Sequence, residues 1–341
     1  MSTATTTAVY VSNADSGDLW VYHLDADRGE LTPVQRVMIG GSVMPLASSP
    51  DRRFLYAARR SEPFEVLSFA IDPATGELGA LGEAPLPHSM ANISTDRSGR
   101  WLFSASYGGD QIAVGPIDAD GVARAAHQVL ATPPRAHAIR ADPSNRFVFA
   151  TSLGGGLVMQ FRFDPATGRL APNAPASLCP HEGASPRHFA FSGDGRFVYL
   201  LNELDAKLDV LAFDAAVGTL HTLQTIDSLP PGFSGEPWAA DLHLTPDGRF
   251  LYISERRSST LAAFRVDAGS GELALIGHTP TEAQPRSFAI TPDGRHLIAA
   301  GQASHRLRVY AIDGQTGALA RLCECATGQN PNWIETIVLI M

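Results

Sequence analysis

Residues 244–256 read Leu-Thr-Pro-Asp-Gly-Arg-Phe-Leu-Tyr-Ile-Ser-Glu-Arg. Pro-Asp-Gly is a turn signal: proline presets φ, aspartate can bond its own backbone, and glycine accepts positive φ. The apolar and aromatic run that follows has the length of a buried strand. The same sentence recurs at 49–58, 94–106, 141–152, 191–202 and 290–301, with its arginine at Arg53, Arg100, Arg146, Arg196, Arg249 and Arg295. Successive arginines are 47, 46, 50, 53 and 46 residues apart. A period of this size carried by strands predicts an all-β fold, a β-propeller.

A second motif interleaves with the first: an apolar strand, an acidic turn, Thr-Gly or a relative, then leucine. It is clearest as Phe-Asp-Pro-Ala-Thr-Gly-Arg-Leu at 163–170 and returns at 21–31, 69–78, 213–220, 264–273 and 310–319, with a degenerate copy at 116–123. Seven such hairpins stand against six Pro-Asp-Gly units. The mismatch predicts that the two ends complete a seventh blade, strand 7–13 pairing with a closing strand at 332–340. Ring closure of this kind removes open sheet edges. Each blade is expected to hold four antiparallel strands, A and B around the Pro-Asp-Gly turn and C and D around the Thr-Gly turn. The whole chain, 1–341, reads as a single domain. Residues 230–237 read as a long loop between blades, the kind of segment that often carries function.

Composition narrows the function. A net charge of −9 without a basic run argues against a nucleic-acid partner. Residues 1–8 lack the basic and apolar regions of a signal peptide, and no stretch has the roughly 18 apolar residues of a membrane helix. Cys179, Cys323 and Cys325 form no Cys-x-x-Cys; the last two would share one strand face as packing groups, and a reducing cytoplasm is expected. The Gly154-Gly155-Gly156 run opens no helix and lacks Gly-Lys-Ser/Thr, so it is not read as a phosphate loop. His-Glu-x-x-His and Gly-x-Ser-x-Gly are absent, which leaves little support for a zinc site or a serine hydrolase.

A repeat supplies its own control: residues the fold needs should recur, and residues the chemistry needs should not. Nine positions before each repeat arginine, at the start of strand A, stand Met44, Ala91, His137, Arg187, Ala240 and Arg286. Seven positions after it, at the end of strand B, stand Arg60, Tyr107, Leu153, Glu203, Arg256 and Gln302. Both sets should face one mouth of the central channel. Four arginines converging near one glutamate cost desolvation unless an anion compensates, so His137, Arg187, Glu203, Arg256, Arg286 and Arg60 form the candidate site. Tyr107, Gln302 and His243 join it as lining. His188 is expected to point away from Arg187 on an extended strand, and His181 and residues 305–308 are expected in solvent.

At this point the sequence resembles the bacterial seven-bladed 6-phosphogluconolactonases within the wider lactonase family. The likeness covers nearly the whole chain. It rests on Ser185-Pro-Arg-His188, Leu201-Asn-Glu-Leu204, residues 238–248 (Trp-Ala-Ala-Asp-Leu-His-Leu-Thr-Pro-Asp-Gly), Thr281-Glu-Ala-Gln-Pro-Arg286 and Ile298-Ala-Ala-Gly-Gln302. Fungal carboxy-muconate cycloisomerases of the same family use a histidine, arginines and a glutamate, which by motif fall on His137, Arg187, Arg256 and Glu203. The ending, residues 334–341, departs from the family pattern and leaves the pairing of the closing strand open.

The resemblance implies metal-independent, cofactor-free hydrolysis of an anionic sugar lactone, 6-phosphogluconolactone first and an unphosphorylated galactaro- or glucaro-lactone as the alternative. His137 and Glu203 would share acid and base roles, with arginines on the substrate anion and the oxyanion. A muconate-type cycloisomerase and a non-enzymatic scaffold are the remaining readings. The expected partner is a small sugar lactone, with no membrane or nucleic acid, and the oligomeric state is left open.

Overall fold

The computed structural model describes residues 6–339 and is built of strands, numbered β1 to β28 along the chain. They form seven four-stranded antiparallel sheets arranged as a β-propeller. Six sheets follow chain order. The seventh is ordered β28 (Pro331–Val338), β1 (Thr7–Asn13), β2 (Asp18–Asp25), β3 (Glu30–Met38), so the end of the chain supplies the inner strand of the blade that the start opens. The closing strand is shorter than the expected 332–340, and residues 1–5 and 340–341 lie outside the described residues. The degenerate hairpin at 116–123 leaves only an isolated bridge, Ile117 to Ala123, ahead of the four-residue outer strand Gln128–Ala131.

The repeated residues hold blades to one another. In four of the six repeats the arginine after the turn donates to a carbonyl in a neighbouring blade's acidic turn: Arg100 to Pro165, Arg146 to Ala215, Arg196 to Ala268 and Arg249 to Gly314. Tyr10, Tyr199 and Tyr252 on the second strand of their blades reach the carbonyls of Gly76, Gly271 and Gly317 in the same way. Those glycines have φ between +70° and +77°, and at Gly271 a Cβ would also lie 2.6 Å from the Phe197 ring. Apolar clusters fill each gap between blades, for example Phe149, Phe189, Leu200 and Phe213. Such clusters and turns account for the recurring half of the sequence.

One feature of the inner strands positions the site. Pairing of the first strand with the second slips by one residue near its start in six blades: between Val43 and Leu46, Ala136 and Ile139, Pro186 and His188, Ala239 and Leu242, Pro285 and Ser287, and, in the closing blade, opposite Ser12 and Asn13. Each slip inserts an extra residue on the inner strand. Bulges of this kind bend a strand and re-aim its side chains, breaking strict alternation where the channel opens.

Candidate active site

The inner strands Ala136–Ala141, Pro186–Phe191, Ala239–Leu244 and Pro285–Ile290 bring His137, Arg187, His243 and Arg286 to the channel. Glu203 and Arg256 each follow the last residue of the second strand of their blade. Glu203 is the hub of the group. Its Oε2 accepts from Arg187 Nε at 2.7 Å and lies 3.1 Å from an Arg256 terminal nitrogen, while Oε1 accepts from Trp238 Nε1 at 3.1 Å. Arg187 and Arg256 are only 1% and 2% exposed.

Backbone carbonyls take the remaining donors. Arg187 donates to the Ala240 carbonyl, and Arg256 to Trp238 O (3.1 Å) and Ala239 O (3.0 Å). The Arg256 guanidinium stacks on the Trp238 ring at 3.7 Å, a cation–π contact that sets its plane. Burial alone would raise the Glu203 carboxyl, but Arg187, Arg256 and Arg286 outweigh it and hold it below the usual range. Glu203 is therefore charged and already engaged by three donors.

Arg286 and Arg60 complete the ring differently. The half-buried Arg286 guanidinium makes no hydrogen bond or ion pair with another described residue. Burial, then the repulsion of Arg187 and Arg60, pushes its pKa down. Arg60 is held by Ser89 Oγ at 3.0 Å and by the Met44 thioether at 3.0 Å, with no carboxylate partner among the described residues. Among the described residues, then, neither of these two guanidinium groups is paired directly with a carboxylate.

His137 is 3% exposed, its Nδ1 is sealed without a partner, and Tyr107 meets its ring edge-on at 6.0 Å. Burial, then Arg187 and His188, holds its pKa well below that of a free imidazole, so it is neutral. Tyr107 is itself overlain by Arg135.

Three expectations need correction. His188 does not point away from Arg187: the bulge at Pro186/His188 turns both inward, and the His188 ring lies 5.0 Å from His137. Its Nδ1 is 2.8 Å from Asp241 Oδ1, and Asp241 Oδ2 meets His243 Nε2 at 3.3 Å and Ser287 Oγ at 3.0 Å. These nitrogens bond the carboxylate rather than converging, and no ligand set for a metal forms among the described residues. His181 is not in solvent either; it is clamped between Asp205 (2.8 Å) and the buried Asp209 (3.0 Å). Gln302 turns aside to bond Asn330 at 2.7 Å and does not line the ring. His243 is placed below the ring, packed edge-on against Phe288. At the far end of the channel a separate cavity of about 310 Å³ is lined by Arg97, Arg140 and Glu335.

A propeller whose channel holds uncompensated arginines beside a neutral histidine suits an anionic ester. Residues 2–336 match the family described as "Lactonase, 7-bladed beta-propeller". The chain belongs to that family and is a lactone-hydrolysing enzyme. It is 44% identical over 331 residues to the 6-phosphogluconolactonase of Pectobacterium carotovorum, covering 97% of this chain and 98% of that one. Identity to the Pectobacterium atrosepticum enzyme of the same name is 43% over 331 residues, with the same coverage. The solved structure of the Pseudomonas aeruginosa periplasmic gluconolactonase PpgL superposes with a TM-score of 0.92 at 30% identity, covering 98% of this chain and all of that one (100%).

Proposed function

We propose that the protein opens 6-phosphogluconolactone to 6-phosphogluconate without a metal ion, using the ring of His137, Arg187, Glu203, Arg256, Arg286 and Arg60. The observation that carries this reading is the pair of forks, Arg286 and Arg60, that lack a carboxylate while Arg187 and Arg256 share one. A phosphate brings nearly two charges and three acceptor oxygens, which suits two guanidinium groups. The names of the Pectobacterium relatives support the phosphorylated substrate.

The rest of the ring supplies the chemistry. Arg187 and Arg256, fixed by Glu203 and by backbone carbonyls, offer preorganised charge to the oxyanion that forms when water attacks the lactone carbonyl. Glu203 is too well satisfied to act as a base; it holds the two guanidinium groups in place. Protons therefore fall to imidazole. His137 has a sealed Nδ1, which leaves Nε2 for the departing ring oxygen. Tyr107 borders this space. A reducing, cytoplasmic location fits the three free thiols.

The substrate reading is tested by comparing kcat/KM for 6-phosphogluconolactone with that for a galactaro- or glucaro-lactone, corrected for spontaneous opening. At least a tenfold preference for the phosphorylated ring is expected. A tenfold preference for the diacid, about 1.4 kcal/mol in the transition state, would transfer the enzyme to that substrate. Activity should also be unchanged in excess EDTA, because one carboxylate among arginines is a poor home for a hard cation. Loss of activity that calcium or zinc restores would refute the arginine-ring mechanism.

A further inference from the structure

The group at the floor of the arginine ring is not used by that mechanism. Asp241 is 5% exposed and His188 6%, yet both are ionisable and joined by a 2.8 Å contact. The contact is made at Nδ1. It fixes the ring so that the other nitrogen, Nε2, is turned toward Arg187, whose terminal nitrogen is 3.4 Å away. Asp241 is held in turn by Ser287 Oγ, the amide of Leu242 and His243. Trp333 from the closing strand packs 5.7 Å from the His188 ring on another side. A base oriented by a carboxylate that is itself anchored by further hydrogen bonds is the recurring architecture of general-base catalysis.

We propose that His188, oriented by Asp241, is the general base that activates the attacking water, with Asp241 as its positioning residue. This rests on the lactonase reading given above. The water gives one proton to His188 Nε2 as its oxygen bonds to the lactone carbonyl carbon, and the carbonyl oxygen becomes an oxyanion against the arginines. As the carbonyl re-forms, the bond to the ring oxygen breaks. His137 Nε2–H gives its proton to the departing ring oxygen and takes the proton held on His188 at that same nitrogen, its sealed Nδ1 playing no part. The new carboxylic acid then loses its own proton to solvent. Asp241, kept charged by His243 and His188 against the cost of burial, stabilises the imidazolium formed midway.

The groups facing His188 are Arg187, Asp241, His137 and, at longer range, Arg140. Burial first and Arg187 second pull its pKa down to about 4, against the opposing pull of Asp241. An anion bound to the ring would offset Arg187 and strengthen the base when substrate is present. The acid limb of kcat should therefore lie above that of the free enzyme's kcat/KM.

The test uses the whole protein, with folding checked by near-ultraviolet circular dichroism. His188→Asn keeps a donor where Nδ1 bonds Asp241 but removes the base. Asp241→Asn keeps the shape but can donate into Nδ1 and turn the imidazole to the wrong tautomer. Each should lower kcat by about 100-fold or more with KM within about threefold, and the double variant should be no slower than His188→Asn alone. Turnover within threefold of wild type in folded His188→Asn would overturn the proposal and leave His188 a packing residue, as would a loss confined to KM. Should Asp241→Asn fail to fold, His188→Asn decides the matter. A wild-type protein inactive on every lactone would sink the lactonase reading itself, a different outcome from an active wild type with active variants.

Discussion

Glu203→Gln should abolish most activity and weaken the fold together. Glutamine keeps the size of the side chain but removes the one carboxylate that contacts both Arg187 and Arg256. Two nearly buried guanidinium groups would then face each other, with Arg286 and Arg60 nearby. Removing one partner of a buried ion pair typically costs about 3–5 kcal/mol, which denaturant titration would read directly. Misplaced oxyanion donors typically cost about 100-fold or more in kcat. The sign of the pH dependence follows from the depressed carboxyl: its stabilisation is present above the unfolded value of about 4.3 and is lost as pH falls toward the lower folded value. Glu203→Gln should flatten that acid-side loss. A variant of normal stability and turnover would show that Glu203 is a bystander.

Arg286→Met is expected to separate the two effects. Arg286 has no hydrogen-bond or ion-pair partner among the described residues, and burial with like-charge repulsion already disfavours its charged form. Replacing it with an apolar side chain of similar length should therefore leave the protein as stable or more so. A charge-assisted hydrogen bond contributes roughly 1.5–3 kcal/mol, so loss of the fork should lower kcat/KM by about 100-fold, expressed mainly in KM. Gain of stability with loss of function is the pattern of a charge kept for its ligand. Destabilisation with unchanged KM would instead make Arg286 a structural residue. Thermal melts and saturation kinetics on the same preparation distinguish the two.

The repeat made the architecture legible because the physics of blades repeats too. The arginine of the repeat braces a neighbouring acidic turn in four blades, the tyrosine three residues after Arg196 and Arg249 bonds a turn glycine, and such contacts recur because the interfaces between blades are built alike. Subtracting those positions left the residues that do not recur, and the ion-paired core of the ring, Arg187, Glu203 and Arg256, was among them. What the repeat could not reveal is local. Alternation along a regular strand puts His188 behind Arg187, and only the inserted residue at the strand start brings both forward. The signal available was the neighbouring Asp241 and His243, two residues apart on the next inner strand, which pair with His188 only after the bulge is known.

His181 and Gln302 were misjudged for a related reason. Both are governed by partners distant in the chain or outside the repeat: Asp205 and Asp209 for His181, and Asn330 in the turn before the closing strand for Gln302. A loop position looks exposed until a specific partner is found. The departure of the C-terminal ending from the family pattern had no effect on closure, since the strand pairs with β1 through seven residue partners from Thr7 to Asn13. It does bring Glu335 into the far end of the channel, where burial raises its carboxyl and Trp333 Nε1 donates to it at 3.0 Å.

The forks of Arg286 and Arg60 are expected to read the distal phosphate of a lactone. The most direct test is the ratio of kcat/KM for 6-phosphogluconolactone to that for gluconolactone, measured in wild type and in Arg286→Met. Wild type should prefer the phosphorylated ring by at least about tenfold, and the substitution should reduce that ratio toward one by slowing the phosphorylated substrate alone. An unchanged ratio in a folded Arg286→Met, or a wild type indifferent to the phosphate, would contradict the account.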